Sequence, residues 1–232
     1  MKSKKISLGI IILNYGLPSY TLKLINTLVK YSEISKIIVI DNYSKSKNFE
    51  VLKIKIKKIN NSKIILRKKK NLGYASGNNF GLKICFNTFN LKYALILNPD
   101  IELNTKINFN CIKKLNFKDK ILFTGQIKEK GFSYSLLEFN KLNFISHKYK
   151  KLISNQKLPI YVSGSCIGFT KGFWTALSGF DEDYFLYYEE LDLIYKYKKK
   201  FNAFPKVVSL KQLKVNHLKN KLMIDKNNNF TT

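Results

Sequence analysis

Residues 6–15 read ISLGIIILNY, a nearly continuous apolar run that ends in polar side chains. A strand in a parallel sheet is covered on both faces, so it is apolar along its whole length. Residues 19–31 follow, with Ser19 as a candidate N-cap and apolar residues at helical spacing, namely Leu22, Ile25, Leu28 and Val29. The stretch therefore predicts a buried strand and then a helix that packs back against it.

The same alternation continues along the first half of the chain. Further buried strands are predicted at 36–42 (KIIVIDN), 62–68 (SKIILRK) and 92–98 (KYALILN). Residues 74–89 begin loosely and end with helical periodicity. Strands that alternate with helices at this spacing are typical of an α/β domain with a mostly parallel central sheet flanked by helices.

The second half of the chain is less regular. Residues 111–117 look helical, 120–127 look like a strand, and 160–177 suggest a strand, a turn and a short helix. Residues 132–158 are polar, aromatic and unassigned. Because neither a linker nor an internal repeat is visible, we expect a single Rossmann-like domain over residues 1–232.

The charge of the chain is strongly positive. It has 42 Lys and Arg against 15 Asp and Glu, a formal net charge of +27, but Arg67 is the only arginine. Richness in Lys, Asn and Ile suggests AT-rich coding bias, and nucleic-acid readers usually use Arg for bidentate contacts. We therefore expect no nucleic-acid partner, whereas lysine clusters suffice for peripheral contact with an anionic membrane.

The compartment follows from the apolar runs and the cysteines. The run at 6–15 follows basic residues, but at about eight apolar residues without a cleavage site it reads as a strand and not as a signal peptide. No apolar stretch approaches the roughly 20 residues that span a bilayer. Cys85, Cys111 and Cys166 form no disulfide framework or metal pair, so we expect a cytoplasmic protein, with peripheral attachment at the inner face of the membrane left open.

Polar side chains follow three of the four predicted strands. They are Asn14, Asp41, and Asn98 with Asp100. Ligands of doubly wound sheets bind beyond the carboxyl ends of the strands. Asp41 could cap the next helix or accept a hydrogen bond from a nucleobase or a ribose. Asp100, after the stiff Pro99, could form a turn or hold Mg²⁺ or Mn²⁺ beside phosphates.

Two further stretches are ambiguous taken singly. Residues 71–82, NLGYASGNNFGL, could bring backbone amides to a phosphate or could be a flexible turn. Six of the 15 acids crowd into residues 181–192, as Asp181, Glu182, Asp183, Glu189, Glu190 and Asp192. Such carboxylates repel one another unless a helix terminus, a cation or a proton offsets the repulsion, and an acidic first helical turn alone would explain the pattern.

In this order, the motifs resemble the family 2 glycosyltransferases of the GT-A fold, especially the bacterial rhamnosyltransferase-like branch. IIILNYGLPSYTLKLINTL resembles the first strand and helix of that family, and VIDNYS resembles its nucleotide-binding element. NLGYASGNNFGL, LNPDIEL and the block that ends in YYEELDL resemble its glycine-rich, metal-binding and acceptor-side elements. The resemblance covers about residues 6–217.

The resemblance implies roles for individual residues. Asp41 would contact the base of a nucleotide-sugar beside Asn14, while Gly73, Asn78, Asn79 and Asn98 would border the nucleotide and the sugar. Asp100 would bind a divalent cation, Mg²⁺ or Mn²⁺, that bridges the diphosphate. His217 matches a late histidine near the diphosphate or the metal, although a lone histidine is more often structural. Residues 1–103 would form the donor half and 104–220 the acceptor half.

The acidic cluster would supply the catalytic base. Glu190 matches the base position of the family, although with a longer side chain than usual, and we expect the helix dipole to favour its ionised form. Glu189 and Asp192 would orient it or be structural, and Asp181, Glu182 and Asp183 would line the acceptor groove or cap a turn. In the helix that follows, Leu191, Ile194 and Tyr195 would form the apolar face and leave Asp192 and Lys196 as an i,i+4 pair.

Together these features predict an inverting glycosyltransferase. It would move a sugar, rhamnose being one candidate, from a UDP- or dTDP-sugar to a hydroxyl of a bacterial surface glycan or a lipid-linked acceptor. A nucleotidyltransferase is disfavoured because NYGLPSY lacks a basic glycine-rich loop. The chain ends about 15 residues after His217, where many relatives continue, so the alternative is an inactive or truncated binder of nucleotide-sugars or of a membrane surface.

Overall fold

The structure is a computed structural model that describes residues 6–16, 18–42, 45–138 and 159–218. Most of the unassigned stretch 132–158, and residues 219–221 of a lysine-rich segment, lie outside the described residues.

The first half alternates strands and helices as predicted. Its elements are β1 (Leu8–Asn14), α1 (Pro18–Leu28), β2 (Ile34–Asn42), α2 (Ser46–Ile59), β3 (Ile64–Lys69), α3 (Gly73–Lys83), β4 (Tyr93–Leu97) and β5 (Ile101–Leu103). Two expectations were wrong. β3 is not buried but half-buried to exposed, because it lies at the edge of the sheet. α3 is regular from Gly73 onward and does not begin loosely. It continues into one π-helical turn, Ile84–Thr88.

The second half adds strands and two helices. Its elements are a 3₁₀ turn (Phe109–Lys114), β6 (Ile121–Glu129), β7 (Phe132–Tyr134), β8 (Leu137–Glu138), β9 (Ile160–Tyr161), β10 (Cys166–Thr170), α4 (Lys171–Leu177), α5 (Glu189–Phe201) and β11 (Lys206–His217). The predicted strand at 120–127 and the strand, turn and helix at 160–177 are confirmed.

A nine-stranded sheet organises the described residues. Its strand order is β3-β2-β1-β4-β10-β6-β11-β5, and β7 pairs with β6 at the side. The pairs β1–β2, β1–β4, β2–β3 and β6–β11 are parallel, while β10 is antiparallel to both of its neighbours and β5 and β7 are antiparallel to theirs. Six of the nine strands therefore run in one direction, and the carboxyl ends of β1, β2 and β4 lie at one edge.

Apolar clusters cover both faces of this sheet. Ile10 and Ile12 of β1 point into a cluster with α1, whereas Ile11 points into a second cluster with α3, α4 and α5. All three are fully buried. Burial on both sides is the physical reason why the first strand is apolar without alternation.

Two glycines of the stretch 71–82 serve helix packing. A Cβ added at Gly77 would lie 2.4 Å from Leu13, and one at Gly81 would lie 2.5 Å from Ile11. These positions let the backbone of α3 lie directly on β1. Gly73, with a φ of +96°, instead meets the backbone of Phe185.

Helix α5 buries a different face from the predicted one. Leu193 and Ile194 are fully buried, whereas Leu191 is half-buried. Tyr197 stacks on Phe173 of α4, with 5.6 Å between the ring centroids. The predicted apolar face was therefore confirmed for Ile194 and wrong for Leu191 and Tyr195, which are half-buried, because Leu193 and Ile194 are the residues that pack against the sheet.

Candidate active site

The carboxyl ends of β1 and β2 meet through a buried hydrogen bond. Nδ2 of Asn14 donates to Oδ1 of Asp41 over 2.8 Å, and the hydroxyl of Thr21 in α1 donates to Oδ1 of Asn14 over 2.7 Å. All three side chains are fully buried. The parallel register pairs Asn14 directly with Asp41, so the structure brings these two predicted residues together.

Asn42 was not among the predicted site residues. It joins the end of β2 to the start of α3. Its Nδ2 donates to Oδ1 of Asn71 over 2.8 Å and to the carbonyl of Gly73 over 3.3 Å. Oδ1 of Asn71 also accepts the backbone N–H of Gly73 over 3.0 Å. This network fixes the beginning of α3 beside Asp41.

The two asparagines of α3 form hydrogen bonds to backbone groups of the protein. Asn78 is fully buried, and its Nδ2 donates to the carbonyl of Tyr74 over 3.1 Å. Asn79 accepts the N–H of Phe180 and donates to its carbonyl, each over 2.9 Å. Asn79 therefore ties the donor-side helix to the segment before α5, and its predicted contact with a nucleotide-sugar stays a prediction.

Asp100 and His217 lie side by side. Oδ2 of Asp100 is 3.3 Å from Nε2 of His217, and both side chains are buried. The antiparallel register of β5 and β11 pairs His217 with Ile101, which follows Asp100 directly. The predicted pair is thus brought together by two strands that are far apart in the sequence.

Glu129 occupies the other side of the imidazole. Its Oε2 lies 2.9 Å from Nδ1 of His217 and accepts the hydroxyl of Tyr134 over 3.1 Å. Burial alone would lower the pKa of His217, but the hydrogen bonds and charges of Asp100 and Glu129 raise it. No local pattern singles out Glu129, because only the pairing of β6 with β11 brings it to His217.

The donor atoms here suit a divalent cation. A carboxylate oxygen and an imidazole nitrogen are ligands of Mn²⁺, and the carboxylate on Nδ1 is the usual orienting partner of a metal-binding histidine. Among the described residues, no group of three or more His, Cys, Asp and Glu forms a complete metal cage. Asp100 and His217 would therefore leave further coordination positions to a ligand.

Glu190 is held by the loop before β10. Oε1 of Glu190 accepts the backbone N–H of Gly164 over 2.6 Å, and the carbonyl of Gly164 accepts the hydroxyl of Tyr74 over 2.7 Å. The backbone N–H of Asn98 donates to the carbonyl of Ser165, next to Gly164, over 3.1 Å. Glu190 is therefore connected through Gly164 and Ser165 to Asn98, which follows β4 and lies two residues before Asp100.

The protonation of Glu190 differs from the expectation. Burial, and secondly the neighbouring carboxylate of Glu189, raise the pKa of Glu190 to about 7, while backbone N–H groups, including that of Gly164, lower it. The expectation that the helix dipole would favour the ionised form was wrong, because burial outweighs the helix terminus. A carboxyl that titrates near neutral pH suits general base catalysis.

Glu189 and Asp192 are partly or fully buried beside it. Glu189 is only 3% exposed, and burial raises its pKa. Oε2 of Glu189 and Oδ2 of Asp192 are buried without a hydrogen-bond partner. Burial and the charge of Asp181 raise the pKa of Asp192, against the opposing charge of Lys196. The attraction between Asp192 and Lys196 is therefore too weak to lower the pKa of Asp192 overall.

The three acids before the aromatic run have different surroundings. Oδ1 of Asp181 accepts the N–H of Asp183 over 3.0 Å, so Asp181 caps a turn. Glu182 accepts hydrogen bonds from Ser76 over 2.5 Å and from Asn79 over 3.1 Å. Burial opposes ionisation of Glu182, but these hydrogen bonds and the charge of Lys69 lower its pKa overall. Glu182 thus links to α3, and Asp183 is exposed.

The model of the family described as glycosyl transferase family 2 matches residues 7–177. The chain belongs to this family. The matched region contains Asn14, Asp41, Asp100 and Gly164, whereas Glu190 and His217 lie beyond it. Membership of the bacterial rhamnosyltransferase-like branch stays a prediction.

Individual relatives are distant. The low-salt glycan biosynthesis hexosyltransferase Agl10 of Haloferax volcanii is 25% identical over 140 residues, which cover 54% of this chain and 43% of that protein. The chain thus spans less than half of the length of this curated relative.

In the described part of the chain, no helix combines the length and the apolar character needed to cross a membrane.

Solved structures share the fold. GalNAc-T7, solved with UDP, GalNAc and Mn²⁺, superposes with a TM-score of 0.69 at 13% identity, over 93% of this chain and 44% of that one. The mannosyltransferase PcManGT of Pyrobaculum calidifontis, solved with GDP-Man and Mn²⁺, gives 0.61 at 8% identity, over 93% and 57%. The predicted GT-A-like fold is confirmed.

Proposed function

We propose that this family 2 member is an inverting glycosyltransferase that moves a sugar from a nucleoside-diphosphate sugar to an acceptor hydroxyl. The observation that carries the proposal is that two clusters of candidate residues are connected through the same loop, before β10. The pair Asp100–His217 and the carboxyl of Glu190 lie at the two ends of a short path through Asn98, Ser165 and Gly164. One cluster suits a diphosphate-bound cation and the other suits a base.

The donor would lie along the carboxyl ends of β1, β2 and β4. Asp41, oriented by Asn14, would accept hydrogen bonds from the base or the ribose, and the start of α3 at Gly73 would lie beside the diphosphate. Asp100 and His217 would hold Mg²⁺ or Mn²⁺, which would offset the charge that develops on the leaving diphosphate. The donor complexes of GalNAc-T7 and PcManGT, both with Mn²⁺, support this proposal.

Glu190 would accept the proton of the acceptor hydroxyl. As the oxygen attacks the anomeric carbon, the bond to the diphosphate breaks and the proton passes to the carboxylate. An inverting displacement needs this single base and no protein nucleophile. The N–H of Gly164 holds Oε1 of Glu190 in place and stabilises its ionised form.

The acceptor would be a bacterial surface glycan or a lipid-linked sugar, and the donor a UDP- or dTDP-hexose or deoxyhexose such as rhamnose. The name of the Haloferax relative, a hexosyltransferase of glycan biosynthesis, supports a role in glycan synthesis. Contact of lysines such as Lys198–Lys200 with anionic lipid at the inner face of the cell membrane remains part of the proposal. The alternative is a binder of nucleotide-sugars without transfer activity.

Donor hydrolysis tests the proposal directly. The purified chain would be incubated with Mn²⁺ and UDP-glucose, UDP-N-acetylglucosamine, GDP-mannose or dTDP-rhamnose, and the release of the nucleoside diphosphate (UDP, GDP or dTDP) measured. We expect release from at least one donor, and a loss of cation-dependent UDP or dTDP binding in Asp100→Ala. Donor binding without release would favour the inactive binder. An affinity for UDP or dTDP that is unchanged in Asp100→Ala would exclude a role of Asp100 in metal binding.

A further inference from the structure

An exposed aromatic segment, residues 185–188, directly precedes the candidate base. Phe185, Leu186, Tyr187 and Tyr188 are 60%, 50%, 62% and 61% exposed. Four consecutive large side chains with this exposure are unusual on a soluble protein, where contiguous apolar surface marks a binding site. The segment is therefore a candidate contact for a ligand that reaches Glu190.

The backbone holds these side chains outward. The N–H of Tyr74 donates to the carbonyl of Phe185 over 2.7 Å, and the N–H of Asp192 donates to the carbonyl of Tyr188 over 2.9 Å. Between these anchors, Tyr187 and Tyr188 have φ values of +73° and +70°. Left-handed backbone is unfavourable for residues with a side chain, and it persists where the surroundings impose it. The rings are thus presented by a fixed backbone.

The segment lies between the start of α3 and the start of α5. Tyr188 is the N-cap residue of α5, two residues before Glu190, and its carbonyl accepts the N–H of Asp192. Phe185 packs against Gly73 at the start of α3, where an added Cβ would lie 2.4 Å from the Phe185 carbonyl oxygen. One end of the segment therefore borders the donor side and the other end borders the base.

The charges around the segment argue against a membrane. Glu182 and Asp183 are exposed just before it, and Glu189 and Glu190 follow it. Carboxylates near an anionic lipid surface are repelled, so insertion of these rings would bring acids toward like charge. The lysines Lys198–Lys200 lie at the opposite end of α5, about 12–15 Å away along the helix axis.

We propose that segment 185–188 is the acceptor platform, on which a neutral sugar ring stacks against the Tyr187 and Tyr188 side chains with its hydroxyl directed to Glu190. This inference rests on the proposed function and assigns its acceptor class. The apolar C–H face of a pyranose matches an aromatic face, and the hydroxyls at its rim match the phenols. The acidic surroundings favour an uncharged sugar over an anionic one.

Saturation-transfer difference NMR tests the platform without knowledge of the natural acceptor. The probes are methyl glycosides of glucose, galactose, mannose, N-acetylglucosamine, N-acetylgalactosamine and rhamnose, with UDP and Mn²⁺ present. We expect transfer to the ring C–H protons of at least one glycoside. Tyr187→Ala combined with Tyr188→Ala should weaken its binding by about tenfold or more, an effect of the size seen when a nucleobase loses one stacking ring.

Two controls separate the outcomes. Phe132→Ala removes an equally exposed ring, 61% exposed on β7, and should not change glycoside binding. A thermal shift with UDP and Mn²⁺ should be the same for the double variant as for the wild type. If UDP binding is intact, either of two results would overturn the platform. One is no saturation transfer to any glycoside, and the other is equal saturation transfer from the double variant and from the wild type. Failure of the wild type to bind any nucleotide would instead overturn the proposed function.

Vesicles distinguish the rival occupant. Sedimentation with vesicles of phosphatidylglycerol and phosphatidylcholine, at low and high salt, measures lipid binding of the same variants. We expect the double variant to sediment as the wild type does. If the double variant lost vesicle binding while its glycoside binding was unchanged, the segment would be a lipid contact and the platform would be wrong.

Discussion

The backbone N–H of Gly164 donates a 2.6 Å hydrogen bond to Oε1 of Glu190. A Cβ added at Gly164 would lie 2.1 Å from that oxygen and 2.9 Å from the hydroxyl of Tyr74. Glycine is therefore required at this position by close approach, and the loop before β10 and the start of α5 are fitted to each other through this contact.

Gly164→Ala should displace the carboxyl of Glu190. A misplacement of about 1 Å at a reacting group can lower a rate by about 10²-fold, so we expect a loss of this order in transfer. Donor binding should persist, because Asp41 and Asp100 lie on other elements. Transfer kinetics and a UDP titration would measure both, with Ser163→Ala as the neighbouring control. A fully active Gly164→Ala would show that the contact has no catalytic importance.

Tyr74→Phe should weaken the same arrangement more gently. The hydroxyl that donates to the carbonyl of Gly164 is lost, while the ring and the backbone hydrogen bond to Phe185 are kept. A single hydrogen bond contributes about 0.5–1.5 kcal/mol, so we expect kcat to fall by up to about tenfold. The donor KM should not change. Tyr197→Phe, on α5, is the matched control. An equal fall in kcat in both variants would contradict a specific role for the Tyr74 hydroxyl.

Transfer should depend on pH through Glu190. Its pKa in the folded protein is about 7, against an ordinary value of 4.5, so the fraction of ionised base rises through neutral pH. We expect kcat/KM to rise with pH through about 7 and to become nearly independent of pH in Glu190→Gln, at a rate roughly 10²-fold lower or more. Maximal wild-type transfer near pH 5 would contradict this assignment.

The same titration affects stability. The folded state holds the Glu190 proton more tightly than the unfolded state does, so the free energy of unfolding should fall as pH rises from about 4.5 to about 7. Glu190→Gln cannot lose that proton, so it should become more stable relative to the wild type as pH increases through this range. Urea unfolding at pH 5 and pH 8 measures the difference. A stability gap that is equal at both pH values would argue against a raised pKa.

Glu129 should tune the proposed metal site through His217. Glu129→Gln keeps a hydrogen-bond acceptor for Nδ1 but removes its charge, which makes Nε2 a weaker ligand. Loss of such an orienting carboxylate typically costs about 10–100-fold in metal affinity. Calorimetry of Mn²⁺ with UDP present would measure it. Glu102→Gln, a half-buried glutamate on β5 that pairs with Lys23, is the control, and equal Mn²⁺ affinity in both variants would refute the orienting role.

The sequence alone determined the framework of the fold. The unbroken apolar run of β1 and the helical spacing of α1 are local patterns, and polar residues follow three of the four predicted strands. Asn14, Asp41 and Asp100 could therefore be placed at one edge of a parallel sheet before any contact was known. Chain order and period suffice for this, because parallel strands share their carboxyl edge.

The tertiary structure decided the chemistry of the acids. Glu129 meets His217 across 88 positions, and Gly164 meets Glu190 across 26, through strand register and loop packing that no local pattern encodes. The helix-terminus argument gave the wrong direction for the pKa of Glu190, because desolvation depends on what the rest of the chain places around a carboxyl. Local sequence thus fixes where a side chain sits along its strand or helix, whereas only the packed fold sets its partners, its burial and its proton affinity.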